Sequence, residues 1–262
     1  MQNLIFENNS YQSPARKLSL FARLFPTFTF YCTLIFIVIK ASRAAHKGVY
    51  GNDDWVKSSY AVLRSLEKVG IRLDVSGIDN VKNTVGPVII VGNHMSMMET
   101  LILPGIVQPI KPLTFVVKED LLNYPVFKYV MRSRNPIAVT RTNPRQDLKT
   151  VLSEGVDRIE NDISVIVFPQ TTRAHSFDPS QMSTIGVKLA KKSGITIIPL
   201  ALKTDCWENG RKIKDFGRLN LSKTAYFSFG PPLEITGKGD NEQEQINKFI
   251  SSKLAEWEET GG

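Results

Sequence analysis

Cysteine and histidine are both scarce in this 262-residue chain: two Cys, Cys32 and Cys206, and three His, His46, His94 and His175. One thiol lies inside an apolar run out of reach of the other, so no disulfide framework is expected. No CxxC or HxxxH spacing occurs, so no metal site is expected either. A G-x-S-x-G elbow is also missing, which counts against a lipid hydrolase built around a serine nucleophile. The composition lacks the marks of disorder: 42% of residues are apolar and 22% charged, and the length suffices for one well-buried domain.

Charge is absent from Leu24 to Ile39, LFPTFTFYCTLIFIVI. As a helix these 16 residues reach roughly 24 Å, short of the roughly 30 Å hydrocarbon core of a bilayer. Such a segment spans with help from snorkelling Arg23 and Lys40, or lies in the interface as an anchor. A cleaved leader fits less well, because the stretch after the run, KASRAAHKG, is basic and offers no small-x-small site. Residues 1–47 hold six basic residues against one acid, out of a formal net charge of +8. Positive charge flanking an apolar run points to anionic membrane lipid rather than to nucleic acid, whose binders spread charge over a folded face with aromatics. The sequence therefore predicts a membrane-anchoring segment at 1–47 and a folded domain at 48–262, held at a membrane, on the cytoplasmic face of the inner membrane.

Residues 71–78, 85–93, 113–118, 136–140, 163–169, 195–202 and 224–230 read as strands, most of them apolar throughout. Helical patterns lie between them. Asn143-Pro144 opens one running to about Glu160, Asp178-Pro179 opens another ending at Ser193-Gly194, and an amphipathic helix closes the chain from about Asp240 to Glu258. Apolar strands separated by helices predict an α/β fold, a mixed and mostly parallel sheet covered by helices on both faces. Chemistry then belongs at the carboxyl ends of the strands.

Two of those ends carry reactive side chains. Asn93-His94-Met95-Ser96-Met97-Met98-Glu99 follows the strand VIIV. Histidine is the side-chain type suited to proton transfer near neutral pH, and Glu99 turns back to His94 only if His94 precedes the helix and Glu99 sits in its first turn. The same spacing equally suits a capping His and a Glu that complements the helix dipole. Phe168-Pro169-Gln170-Thr171-Thr172-Arg173 follows ISVIV, and its amide, hydroxyls and guanidinium suit an oxygen-rich anion. Residues 111–149 carry eight basic residues against three acids. Among these, Lys118 and Arg141 end apolar strands.

In this order the pieces resemble the glycerolipid acyltransferases of the PlsC type. The NHxSxxD block is matched by Asn93, His94, Ser96 and, with one change, Glu99, an HX4E version. A Lys after a strand and an apolar strand ending in Arg are matched by Lys118 and Arg141. FPEGTR is matched by Phe168, Pro169, Thr172 and Arg173, with Gln170 for Glu and Thr171 for Gly. An apolar strand around a proline is matched by Ile195 to Leu202, and the likeness covers about residues 70–230. The resemblance implies an O-acyltransferase without cofactor or metal, in which acyl-CoA or acyl-carrier protein is the donor substrate. His94 and Glu99 would be catalytic, and Ser96 a structural hydroxyl. Lys118, Arg141, Gln170, Thr171, Thr172 and Arg173 would bind a lysophospholipid acceptor, foremost 1-acyl-glycerol-3-phosphate. Glu99 for Asp keeps the charge, whereas Gln170, Thr171 and the FKxG stretch, not recognisable in Gln181 to Gly186, depart in the acceptor half. Another lysolipid, such as a lyso-amino-acid lipid, or a non-catalytic lipid-binding role therefore stays open.

Overall fold

A computed structural model describes residues 4–170, 172–210 and 213–259. The described strands are β1 (Ser10–Gln12), β2 (Arg72–Ser76), β3 (Ile89–Gly92), β4 (Leu113–Lys118), β5 (Ile137–Val139), β6 (Ser164–Val167), β7 (Ile197–Lys203) and β8 (Thr224–Phe229). They form one sheet in the order β1-β2-β8-β7-β3-β6-β4-β5. The β1–β2 and β7–β8 pairs are antiparallel and the other five are parallel. The mixed, mostly parallel α/β sheet read from the sequence is the one observed.

The helices are α1 (Leu20–Leu24), α2 (Pro26–His46), α3 (Asn52–Lys68), α4 (Ile78–Asn83), α5 (Met98–Val107), α6 (Phe127–Arg132), α7 (Pro144–Glu160), α8 (Ile185–Ser193) and α9 (Asp240–Glu259). Strand residues alternate between two apolar cores. Ile90, Ile166 and Ile198 join α2, α3 and α5 in one. Ile89, Val91, Val165 and Val167 join α7, α8 and α9 in the other. This explains why the strands are apolar at every position: neither sheet face meets water.

Local chemistry sets most boundaries. The Asn143 side chain accepts from the Gln146 amide at 3.2 Å, and Pro144 takes the first turn of α7. Gly194 ends α8 at φ +67°, a left-handed conformation suited to glycine. One expected boundary moves. Asp178-Pro179 opens only a 3₁₀ turn, Pro179–Gln181, because Met182 is extended and buried, and α8 begins at Ile185.

The N-terminal segment differs more. The helix there is not confined to the uncharged run: α2 has 21 residues, with Pro26 in its first turn. At about 1.5 Å per residue it reaches roughly 31 Å, and by length and composition it is able to cross a membrane. Yet Phe30, Leu34, Val38 and Ala41 form a buried stripe, with Phe30 edge-on to Trp207 at 4.9 Å. The opposite side leaves Phe28 and Phe36 exposed, beside Leu20, Phe21 and Leu24 of α1. The division expected at residue 47 marks no break in packing. β1 is an edge strand of the sheet, too short to show a period, and Tyr11 and Ser13 bond the buried Glu67 of α3.

The parallel strands β3, β4, β5, β6 and β7 end on one edge of the sheet. Lys118 closes β4, and His94, Arg141, Phe168 and Thr204 follow the ends of β3, β5, β6 and β7.

Candidate active site

Asn93 organises the turn after β3. Its Nδ2 donates to the Leu202 carbonyl and its Oδ1 accepts from the Leu202 amide, both at 2.8 Å. The side chain thus imitates a further strand residue and clamps the loop to β7. His94 comes next, its ring stacked on Phe168 with centroids 4.6 Å apart and planes 8° from parallel. The amide oxygen of Gln170 accepts from the His94 amide at 2.5 Å.

α5 begins at Met98, so Glu99 stands in its first turn. It turns back to the histidine: His94 Nδ1 and Glu99 Oε2 are 3.4 Å apart. That distance allows an ion pair once the ring is protonated, but Nδ1 has no aligned hydrogen-bond partner. Long contacts of this sort are common before substrate binds. Glu99 has no exposed surface. It accepts from the Met95 and Ser96 amides at 2.9 Å and from the Thr204 hydroxyl at 2.5 Å. Burial pushes its carboxyl up, but His94, Thr204 and the Ser96 amide outweigh burial and hold it below the usual carboxylate range. Glu99 thus turns back from the first turn of α5 toward His94, while His94 does not cap that helix, whose Met98 amide meets the Ser96 hydroxyl at 3.1 Å. Ser96 is buried, and its hydroxyl donates to Thr204 at 3.0 Å.

A cavity of about 270 Å³ opens at His94. Val38 of α2, Trp55 and Val62 of α3, Met97, Phe115 and Met131 line its apolar length. Lys118, Arg141, Thr172, Arg173, Lys214 and Asp215 line its polar end. Lys118 is half exposed and paired with Asp120. Arg141 takes φ +63° at the end of β5, where its amide and that of Thr140 donate to Asp147 in the first turn of α7. Burial pulls the Arg141 guanidinium below its usual range, Asp147 opposing and the nearby Arg173 adding to the shift.

Arg173 pairs with Asp215 at 2.5 Å. Lys214 donates to the Thr172 hydroxyl at 2.6 Å, and burial followed by Arg173 lowers its ammonium. Sequence reasoning missed Lys214 and Asp215, which sit in the long β7–β8 connection with no motif around them. Gln170, expected at the substrate, instead stands behind the His94 loop, 5% exposed with its amide oxygen on the His94 amide. Its fixed position in the β6 loop aims it at the backbone. Thr171 lies outside the described residues. Among the described residues no group of three or more His, Cys, Asp or Glu side chains is placed to hold a metal.

The family model described as Acyltransferase matches residues 72–203. A 1-acyl-sn-glycerol-3-phosphate acyltransferase of Pseudomonas aeruginosa is 27% identical over 230 residues, 86% of this chain and 84% of that protein. One from Borreliella burgdorferi is 25% identical over 207 residues, 77% of this chain and 80% of its own. The crystal structure of the 1-acyl-sn-glycerophosphate (LPA) acyltransferase PlsC from Thermotoga maritima superposes with a TM-score of 0.61. At 19% identity, covering 89% of this chain and 95% of that one, this likeness is one of fold.

Proposed function

The chain belongs to the acyltransferase family, of the PlsC type, and from that premise we propose that it acylates the free hydroxyl of 1-acyl-glycerol-3-phosphate to give phosphatidate. The observation that carries the reading is the His94 ring at the junction of an apolar cavity and a cationic rim, backed by a buried carboxylate. With Nδ1 toward Glu99, Nε2 is the nitrogen left for substrate. It takes the proton of the acceptor hydroxyl as that oxygen attacks the thioester carbonyl of acyl-CoA or acyl-carrier protein. The tetrahedral intermediate collapses, the C–S bond breaks, and the imidazolium returns its proton to the departing thiolate. Glu99 orients the ring and stabilises the imidazolium. Lys118, Arg141, Arg173 and Lys214 hold the phosphate, and the apolar cavity holds an acyl chain.

α1 and α2 lie in the interface of an anionic membrane at its cytoplasmic face, with the buried stripe of α2 on the protein and Phe21, Phe28 and Phe36 in lipid. The polar residues suffice without cofactor.

The test is acyl transfer from both donors to a panel of lysolipids. Lysophosphatidate is the expected best acceptor, and His94→Ala is expected to slow transfer by roughly 10²- to 10⁴-fold. Unchanged turnover in that variant sinks the reading. Asp215 favours one second reading, an acceptor whose headgroup carries an ammonium, such as a lyso-amino-acid lipid. The carboxylate already engages Arg173 and offers a cation partner at the same place. A higher kcat/KM for that acceptor in the panel selects it.

A further inference from the structure

We infer that Thr204 is a positioning residue for the His94–Glu99 pair, an inference that rests on His94 being the general base. Thr204 lies one residue beyond the segment that matches the family model, directly after β7, and has no exposed surface. The Asn93 clamp on Leu202 sets the register that carries it beside the Met95–Ser96 turn.

A threonine hydroxyl has one proton, so its two close contacts fix a direction. Thr204 spends its proton on Glu99 Oε1 at 2.5 Å, since an ionised carboxylate only accepts. The Ser96 hydroxyl, 3.0 Å away, must then donate to Thr204. Ser96 in turn accepts from the Met98 amide at 3.1 Å. The chain of donors therefore runs from the first turn of α5 through Ser96 and Thr204 to Glu99.

Oε1 receives the Met95 amide, the Ser96 amide and Thr204, whereas Oε2 receives only the longer 3.1 Å contact from Ser96 and faces His94. The carboxylate is thus held by one oxygen with the other aimed at the ring. This matters more for Glu than for Asp, because the added methylene adds a rotatable bond that the backbone amides alone do not lock. Thr204 supplies the side-chain restraint from the far side of the turn.

The experiment measures kcat and KM of the full-length protein, with thermal unfolding alongside, for Thr204→Val, Thr204→Ala and Thr204→Ser, each also in a Glu99→Gln background. Valine and alanine are expected to lower kcat roughly 10- to 100-fold, the scale for residues that orient a reacting group, with KM for the acceptor within twofold. Serine keeps the hydroxyl and is expected to restore kcat to within about threefold of the parent, whatever it loses in packing. In Glu99→Gln the valine change is expected to add little, because the charge it orients is gone. Serine as slow as alanine overturns the inference, a comparison that stands even if valine does not fold. So does an equal slowing by valine in the parent and Glu99→Gln backgrounds. Undiminished turnover in His94→Ala instead removes the base itself, a separate outcome.

Discussion

Glu99 keeps its charge with no surface exposed, and the neighbours that permit this also make its charge a function of pH. Its folded pKa lies below the unfolded value of about 4.3. The stabilisation is therefore complete above that value and is lost as pH falls through the folded one. Glu99→Gln is expected to be less stable than the parent at pH 7, with the gap closing below about pH 4, as read from urea midpoints across that range. Lys214 makes a second expectation at this scale. Lys214→Ala should raise KM for lysophosphatidate about tenfold, the scale of one hydrogen bond to a charged group. KM for a monoacylglycerol, which has no phosphate, should stay unchanged. Equal effects on the two acceptors would place Lys214 outside the headgroup site. His94 and Glu99 were legible because five residues of chain bring them together at a strand-to-helix corner. Thr204, Lys214 and Asp215 were not, since each reaches the site only through the β7 register and the connection that follows it.

At the scale of elements, α2 has one face buried in the protein and one exposed. Phe30 is fully buried against Trp207, and Phe30→Ala should cost about 3–5 kcal/mol, visible as a lower melting temperature. Phe28 and Phe36 are 61% and 69% exposed. Phe28→Ser with Phe36→Ser should leave melting unchanged and weaken sedimentation with anionic vesicles at least about tenfold, given roughly 1.5–3 kcal/mol per buried apolar side chain. Unaltered vesicle binding would remove this face from the lipid contact. The same helix steadies the polar end of the cavity: Tyr31 accepts from the Trp207 indole and donates to the Gly217 carbonyl at 2.7 Å, next to the turn that bears Lys214 and Asp215. The apolar run announced a helix. Its division into a protein face and an exposed face was invisible, because almost every residue in the run is apolar and no period stands out.

For the whole molecule, the N-terminal segment is bound in by tyrosines. Burial pushes Tyr11, Tyr31 and Tyr50 up to about 12, with Glu67 adding to the shift of Tyr11. Groups raised in the fold stabilise it fully below the unfolded value of about 10 and lose that contribution as pH rises toward 12. Tyrosinate absorbance is expected to show a late-titrating class, and alkaline unfolding should release residues 1–50 first, read as protease cleavage there. A single early titration of all tyrosines would contradict this. The order of the strands from β2 to β8, the two-faced burial and the family blocks follow from the sequence alone, because hydrophobic period and caps act over a few residues. Where the strand ends converge was decided by tertiary structure. Pairing of β3 with β7 sets Thr204 against Glu99, the fold of the β7–β8 connection sets Asp215 on Arg173, and packing turns an apolar segment into one wall of the cavity. Those contacts join residues 42 and 105 positions apart, and 176 for Tyr31 and Trp207, and no local pattern encodes them.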